Sequence, residues 1–260
     1  MRFLREWRRR RVLKNARLDD ALWRRVASSL PFLRGLSEEE AARLRQLAVL
    51  FLSEKQMHGA GGLELTDEVR LSVAIQACLP VLNLGLDTYE SWVGIIVYPG
   101  EFRVSKEEMD DAGVVHAYSE GIVGEAWAGG PVVLSWEDVG LAARGYNVVI
   151  HEFAHKIHME GGGDEDFPAA RPGMDARKWR QTLEQAYRRF CGEVDAEQPT
   201  LIDPYAAEHP AEFFAVMSEA FFTDSAVLAR DWSELYGQLA QFYHQDPAGR
   251  LGDQPGRHRR

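Results

Sequence analysis

The sequence predicts an α+β domain, mostly helical, with a small mixed or antiparallel sheet. Three observations lead there. Capped segments of helical periodicity fill both ends of the 260-residue chain, and strand-like runs are confined to residues 92–136. Between the strands and the second helical set lies His151-Glu152-Phe153-Ala154-His155. That pattern makes the expected architecture zincin-like, a metallopeptidase domain with an HExxH active-site helix.

Each element follows in order. Residues 1–17 form a basic N-terminal arm, and a helix is expected over Leu18–Leu30. Ser37 and Glu40 stand three apart as a capping box, opening a helix that runs to about Ser53. Thr66 caps another that ends near Leu79. Strands are then expected at Trp92–Tyr98, Val114–Tyr118, Ile122–Trp127 and Pro131–Trp136. The last of these is read as an edge strand suited to pairing with an extended peptide. Helices follow at Trp136–Arg144, Asn147–Glu160 and Ala176–Gly192, and two more start at Pro210 and Ser225. The acidic, Gly/Pro-rich stretch Gly161–Gly173 suits either a cleft rim or a solvated connector. Residues 18–248 are read as a single zincin-like peptidase domain, with a helical part 18–90 and a catalytic part 91–248. Residues 249–260 read as a disordered tail.

Composition narrows the class. With 45% hydrophobic and 27% charged residues the chain is an ordinary globular one. The N-terminus has no apolar core of secretory length, and the longest uncharged run, Leu71–Leu86, is too short to span a bilayer. No membrane span and a cytoplasmic location are therefore expected. Cys78 and Cys191 lie far apart in apolar contexts without metal-site spacing, which suits buried free thiols. Residues 1–25 carry ten Arg or Lys against three acids, whereas the whole chain is at −10, leaving the remainder near −17. Such a basic arm suits contact with nucleic acid or an anionic membrane surface, but the favoured reading is a solvated, partly helical leader packed on an acidic body, and no direct nucleic-acid contact is expected.

The chemistry rests on the HExxH segment. Residues i and i+4 share a helix face, so His151 and His155 can hold one zinc ion while Glu152 stands beside it as general base. Asn147 is placed to cap this helix, and Phe153, Ala154 and Ile157 continue its apolar pattern. A catalytic zinc takes three protein ligands and leaves one position for water. A metzincin would need Gly at 158 and His at 161, but the chain has His158 and Gly161. His158 itself reads as a partly exposed helix-end histidine, because imidazoles from three successive turns converge poorly on a tetrahedral centre. Downstream, Pro210 suits the first turn of a helix in which Glu212 can point a carboxylate at the HExxH helix. Glu208 and Glu219 are its rivals. Glu208 precedes the helix, and Glu219, two turns on, reads better as support behind a ligand.

Val148–Lys156, Tyr205 with Glu212 seven residues later, Pro210–Val216, Leu65–Arg70, Gln76-Ala77-Cys78, Val97-Tyr98-Pro99, Gly130–Trp136 and Phe242–Pro247 together resemble the Mlc titration factor A family of bacterial zinc peptidases. The resemblance extends over roughly residues 20–248. It implies a gluzincin-type site, a core similar to that of anthrax lethal factor, zinc held by His151, His155 and Glu212, Glu152 as general base, and Tyr205 as an active-site tyrosine. It also implies an aminopeptidase-like activity on peptide substrates. No residue marks an amino-terminus anchor and the GxMEN-type exopeptidase signature is absent, so exo- and endo-cleavage both stay open. The alternative implied function is a regulatory binding protein that titrates a glucose-responsive, Mlc-type transcriptional repressor, with peptidase activity secondary or latent. A structural zinc site fits poorly, since such sites are closed and usually Cys-rich.

Overall fold

A computed structural model describes residues 2–100, 102–109, 115–122, 124–126, 130–139 and 146–252. Several of its helices begin where a side chain serves the unpaired N–H groups of the first turn. Helix α1 (Arg2–Asn15) is held on the body by ion pairs. Arg9 reaches Glu54 (2.6 Å) and Asp87 (2.7 Å), and Arg5 reaches Asp87 (2.9 Å). Asp19 caps α2 (Asp20–Ser28). At α3 (Glu38–Glu54) both halves of the expected capping box form, Glu40 N–H donating to Ser37 and Ser37 N–H to Glu40. Thr66 accepts from Val69 N–H to start α4 (Asp67–Cys78), which is buried over most of its length.

The sheet is mixed, in the order β1-β2-β6-β5. β1 (Gln56–Gly59) and β2 (Gly94–Tyr98) pair in parallel, as do β2 and β6 (Val132–Ser135); β5 (Gly124–Ala126) closes the sheet antiparallel to β6. β1 has no counterpart among the expected strands: Gln-Met-His-Gly carries no strand pattern of its own and gains one by pairing with β2. The expectation that Pro131–Trp136 is an edge strand is corrected. β6 lies between β2 and β5, and all four of its residues are buried, as in strands covered on both faces. The edge position beside it belongs to β5. β3 (Phe102–Met109) and β4 (Val115–Ile122) form a separate antiparallel pair.

Trp92 falls before β2 and joins an aromatic cluster instead. Its ring lies 5.8 Å from Tyr89 and 5.5 Å from Phe153, with Phe51 5.7 Å from Phe153. α5 (Trp136–Val139) is the described part of the helix expected to Arg144; residues 140–145 lie outside the described residues. Then come α6 (Val148–Glu160), α7 (Ala176–Asp195) and α8 (Pro210–Thr223). The segment from Ser225 is two helices, α9 (Ser225–Asp231) and α10 (Ser233–Tyr243), broken at Trp232. α11 (Pro247–Gly252) runs past the expected start of the tail. There Arg250 is held by Glu40 (2.6 Å), and residues 253–260 lie outside the described residues. Both thiols are free, Cys78 buried and Cys191 half-buried. Among the described residues no helix is long and apolar enough to cross a membrane.

Candidate metal centre

Two helices build the centre. α6 starts at Asn147, whose Oδ1 accepts from Ile150 N–H (2.9 Å). Every residue from Val148 to His158 is buried, with Phe153 in the aromatic cluster and His151 and His155 on the opposite side, facing α8. α8 opens with His209 as N-cap and Pro210 in its first turn, which puts Glu212 at the positive end of the helix dipole. The two helices pack against each other.

At their junction the three expected side chains converge. His151 Nε2 lies 3.1 Å from Glu212 Oε2, His155 Nε2 lies 3.3 Å from the same oxygen, and the two imidazole nitrogens are 3.2 Å apart. Ligand atoms at a zinc distance of about 2.0 Å on tetrahedral corners would be separated by about 3.3 Å. The observed triangle therefore fits a single tetrahedral ion, with one corner left over. Among the described residues this is the only group of His, Cys, Asp or Glu that converges in this way.

Electrostatics point the same way. Burial pulls the His151 imidazole down, but the Glu212 and Glu219 carboxylates outweigh it and push its pKa up to about 10. Burial would lift the Glu212 carboxyl, yet the two imidazoles hold it far below the usual carboxylate range. His155 is lowered, first by burial and then by the positive His151 beside it. The two carboxylates around His151 thus favour positive charge at the centre of the cluster. A metal ion bound there would require both imidazoles in their neutral form.

Behind the triangle runs a buried polar chain. Glu219 Oε2 lies 3.7 Å from His151 Nδ1, and Glu219 Oε1 accepts from Asn147 N–H (2.6 Å). Asn147 Nδ2 donates to Gln76 Oε1 (2.9 Å), and Gln76 Nε2 to Ser72 Oγ (3.1 Å). The supporting position expected of Glu219 agrees with this geometry. The link onward to α4 was not foreseen; its signal was a lone Gln within the apolar run Val73–Leu79, since a buried amide must find partners.

The other expected residues fall as follows. Glu152 is buried on α6 beside the triangle. Tyr205 is 46% exposed on a 3₁₀ turn, Pro204–Ala207, that packs on α8. The chain between them is broken at His209, so the spacing of seven is not two continuous helical turns. Glu208 sits in that break. His158 is buried rather than partly exposed, and its Nε2 donates to the Asp164 carbonyl (2.8 Å), away from the triangle. Lys156, fully buried, donates to the Gly130 carbonyl (2.8 Å) and so ties α6 to the chain entering β6.

Comparison with known proteins adds the following. The family model described as glucose-regulated metallo-peptidase M90 matches residues 4–244. A protein named Mlc titration factor A from Salmonella arizonae is 36% identical over 249 residues, covering 94% of this chain and 98% of its own length. Its namesake from Pectobacterium atrosepticum is 38% identical over 230 residues, covering 87% of each chain. Another, from Salmonella gallinarum, is 37% identical over 237 residues, 90% of this chain and 87% of the relative.

Proposed function

Since the chain belongs to the glucose-regulated metallo-peptidase M90 family, we propose that it is a zinc peptidase of the gluzincin type, acting on peptides in the cytoplasm. The observation that carries this reading is the His151–His155–Glu212 triangle, whose three ligand atoms lie within 4.8 Å of one another. In this reading the three side chains hold zinc, which when bound lowers the pKa of a water in the open position and polarises the scissile carbonyl.

The chain's own groups do the rest. Glu152 takes the proton of the attacking water and delivers it to the leaving amine. The Tyr205 hydroxyl donates to the oxygen that gains negative charge as the carbonyl is attacked. Glu219 holds the His151 ring from behind, which fixes its tautomer. An extended substrate pairs with the outer edge of β5, the end strand among the described residues, which packs beside α6; backbone pairing grips a peptide without reading its sequence. Aminopeptidase-like cleavage is the form of the activity that the family resemblance favours.

Glu152→Gln tests the core of this proposal. The variant should retain zinc at wild-type stoichiometry and lose hydrolysis by at least about a hundredfold. Wild-type turnover in Glu152→Gln would end the reading.

The relatives' name favours a second, compatible role, titration of an Mlc-type repressor. It requires a surface rather than the pocket. Glu152→Gln should then still bind such a repressor, which is checked by pull-down of the purified pair.

A further inference from the structure

The outer face of α1 combines two properties rarely placed together by accident. Phe3, Leu4 and Trp7 are 89%, 70% and 57% exposed. Residues 3, 7, 10, 11 and 14 lie on one helix face by the i, i+4, i+7 rule, so Phe3 and Trp7 align with Arg10, Arg11 and Lys14, and Leu4 and Arg8 flank them. Arg8, Arg10, Arg11 and Lys14 are all exposed, and the Arg11 guanidinium lies 5.6 Å from the Trp7 ring centre. The opposite face is committed to the body. Arg5 and Arg9 pair with Asp87 and Glu54, while Val12 and Leu13 pack against the core. The helix is therefore held in place with its apolar and cationic side turned outward.

We propose that this face seats the protein on an anionic lipid bilayer. Charge and depth both match. Anionic headgroups receive Arg8, Arg10, Arg11 and Lys14, and the boundary just beneath them receives Phe3, Leu4 and Trp7. Neither set suffices alone, since stable surface binding takes an apolar signal together with a basic one. A nucleic-acid backbone would take the cations but offer Phe3 and Leu4 no apolar contact. The rest of the chain carries an excess of acids, so α1 is where a negative surface is attracted. This attachment is peripheral and independent of the peptidase reading.

The test is flotation of the full-length protein with vesicles of phosphatidylglycerol and phosphatidylethanolamine, against vesicles of phosphatidylcholine alone. Binding is expected only to the anionic vesicles. It should weaken as salt rises from about 0.1 M to about 1 M, which shortens electrostatic reach from roughly 10 to 3 Å. The variants Phe3→Ser/Leu4→Ser/Trp7→Ser and Arg10→Glu/Arg11→Glu/Lys14→Glu should each lose about tenfold or more in bound fraction, with melting temperature and zinc content unchanged. Should either melt early, the single changes Trp7→Ser and Arg11→Glu give the same readout. Absence of flotation, equal flotation with phosphatidylcholine, or full binding by the apolar variant each overturns the proposal. Tighter capture by duplex DNA or by an acidic polypeptide than by anionic vesicles would assign the face to that partner instead.

Discussion

Glu219 serves two buried groups at once, accepting from Asn147 N–H with one oxygen and facing His151 Nδ1 with the other. The two duties separate by substitution. Glu219→Gln keeps an acceptor for Asn147 but removes the charge behind His151; it should weaken zinc affinity 10–100-fold with little change in stability. Glu219→Ala also orphans the Asn147 N–H and should cost a further 1–3 kcal/mol or so. Zinc titration against a competing chelator and thermal melts read the two effects, and equal zinc affinity in wild type and Glu219→Gln would refute the assignment. Tyr205→Phe is expected to lower turnover roughly tenfold or more with bound zinc unchanged. An unaltered rate would remove the phenol from the mechanism.

At the scale of elements, α3 and α11 are joined through one carboxylate. Glu40 completes the Ser37 capping box and also receives Arg250. Burial alone would raise the Glu40 carboxyl, but the Ser37 N–H and the Arg250 guanidinium outweigh it and hold it below its ordinary value. A depressed folded-state pKa means that its stabilisation is present above the ordinary carboxylate pKa and is lost as pH falls through the lower folded value. Glu40→Gln should therefore cost about 1 kcal/mol near neutrality, a melting shift of about 2–4 °C, and the difference should shrink in acid. A gap that stays constant down to strongly acidic pH would contradict this. Elements like these, set by local caps, were legible in the sequence: Ser37, Thr66 and Asn147 start their helices where expected. Elements set by distant pairing were not. β1 exists only through β2, and the interior place of β6 depends on β5 closing beside it. A short apolar run looks the same at an edge and in a centre.

Across the whole molecule, the i, i+4 spacing named His151 and His155 on one helix, while Glu212 on a second helix was singled out from its rivals by the family resemblance. The sequence pattern left Gln76 and Ser72 unconnected to them, since their link to His151 crosses three helices through Asn147 and Glu219. A cation bound at a centre shared by α6 and α8 should stabilise the domain as a unit. Zinc at about a thousand times its Kd is worth about 4 kcal/mol, on the order of 10 °C in melting temperature. Calorimetry of metal-free and zinc-loaded protein checks this, and coincident melts would argue against a bound ion. Lastly, α6 has no solvent face from Val148 to His158. A helix so enclosed cannot fray at its middle, so its amide protons should exchange with deuterium only when the entire domain opens. Whatever ion sits on it would then leave on a clock set by its bonds to the protein and not by breathing of the helix that carries it.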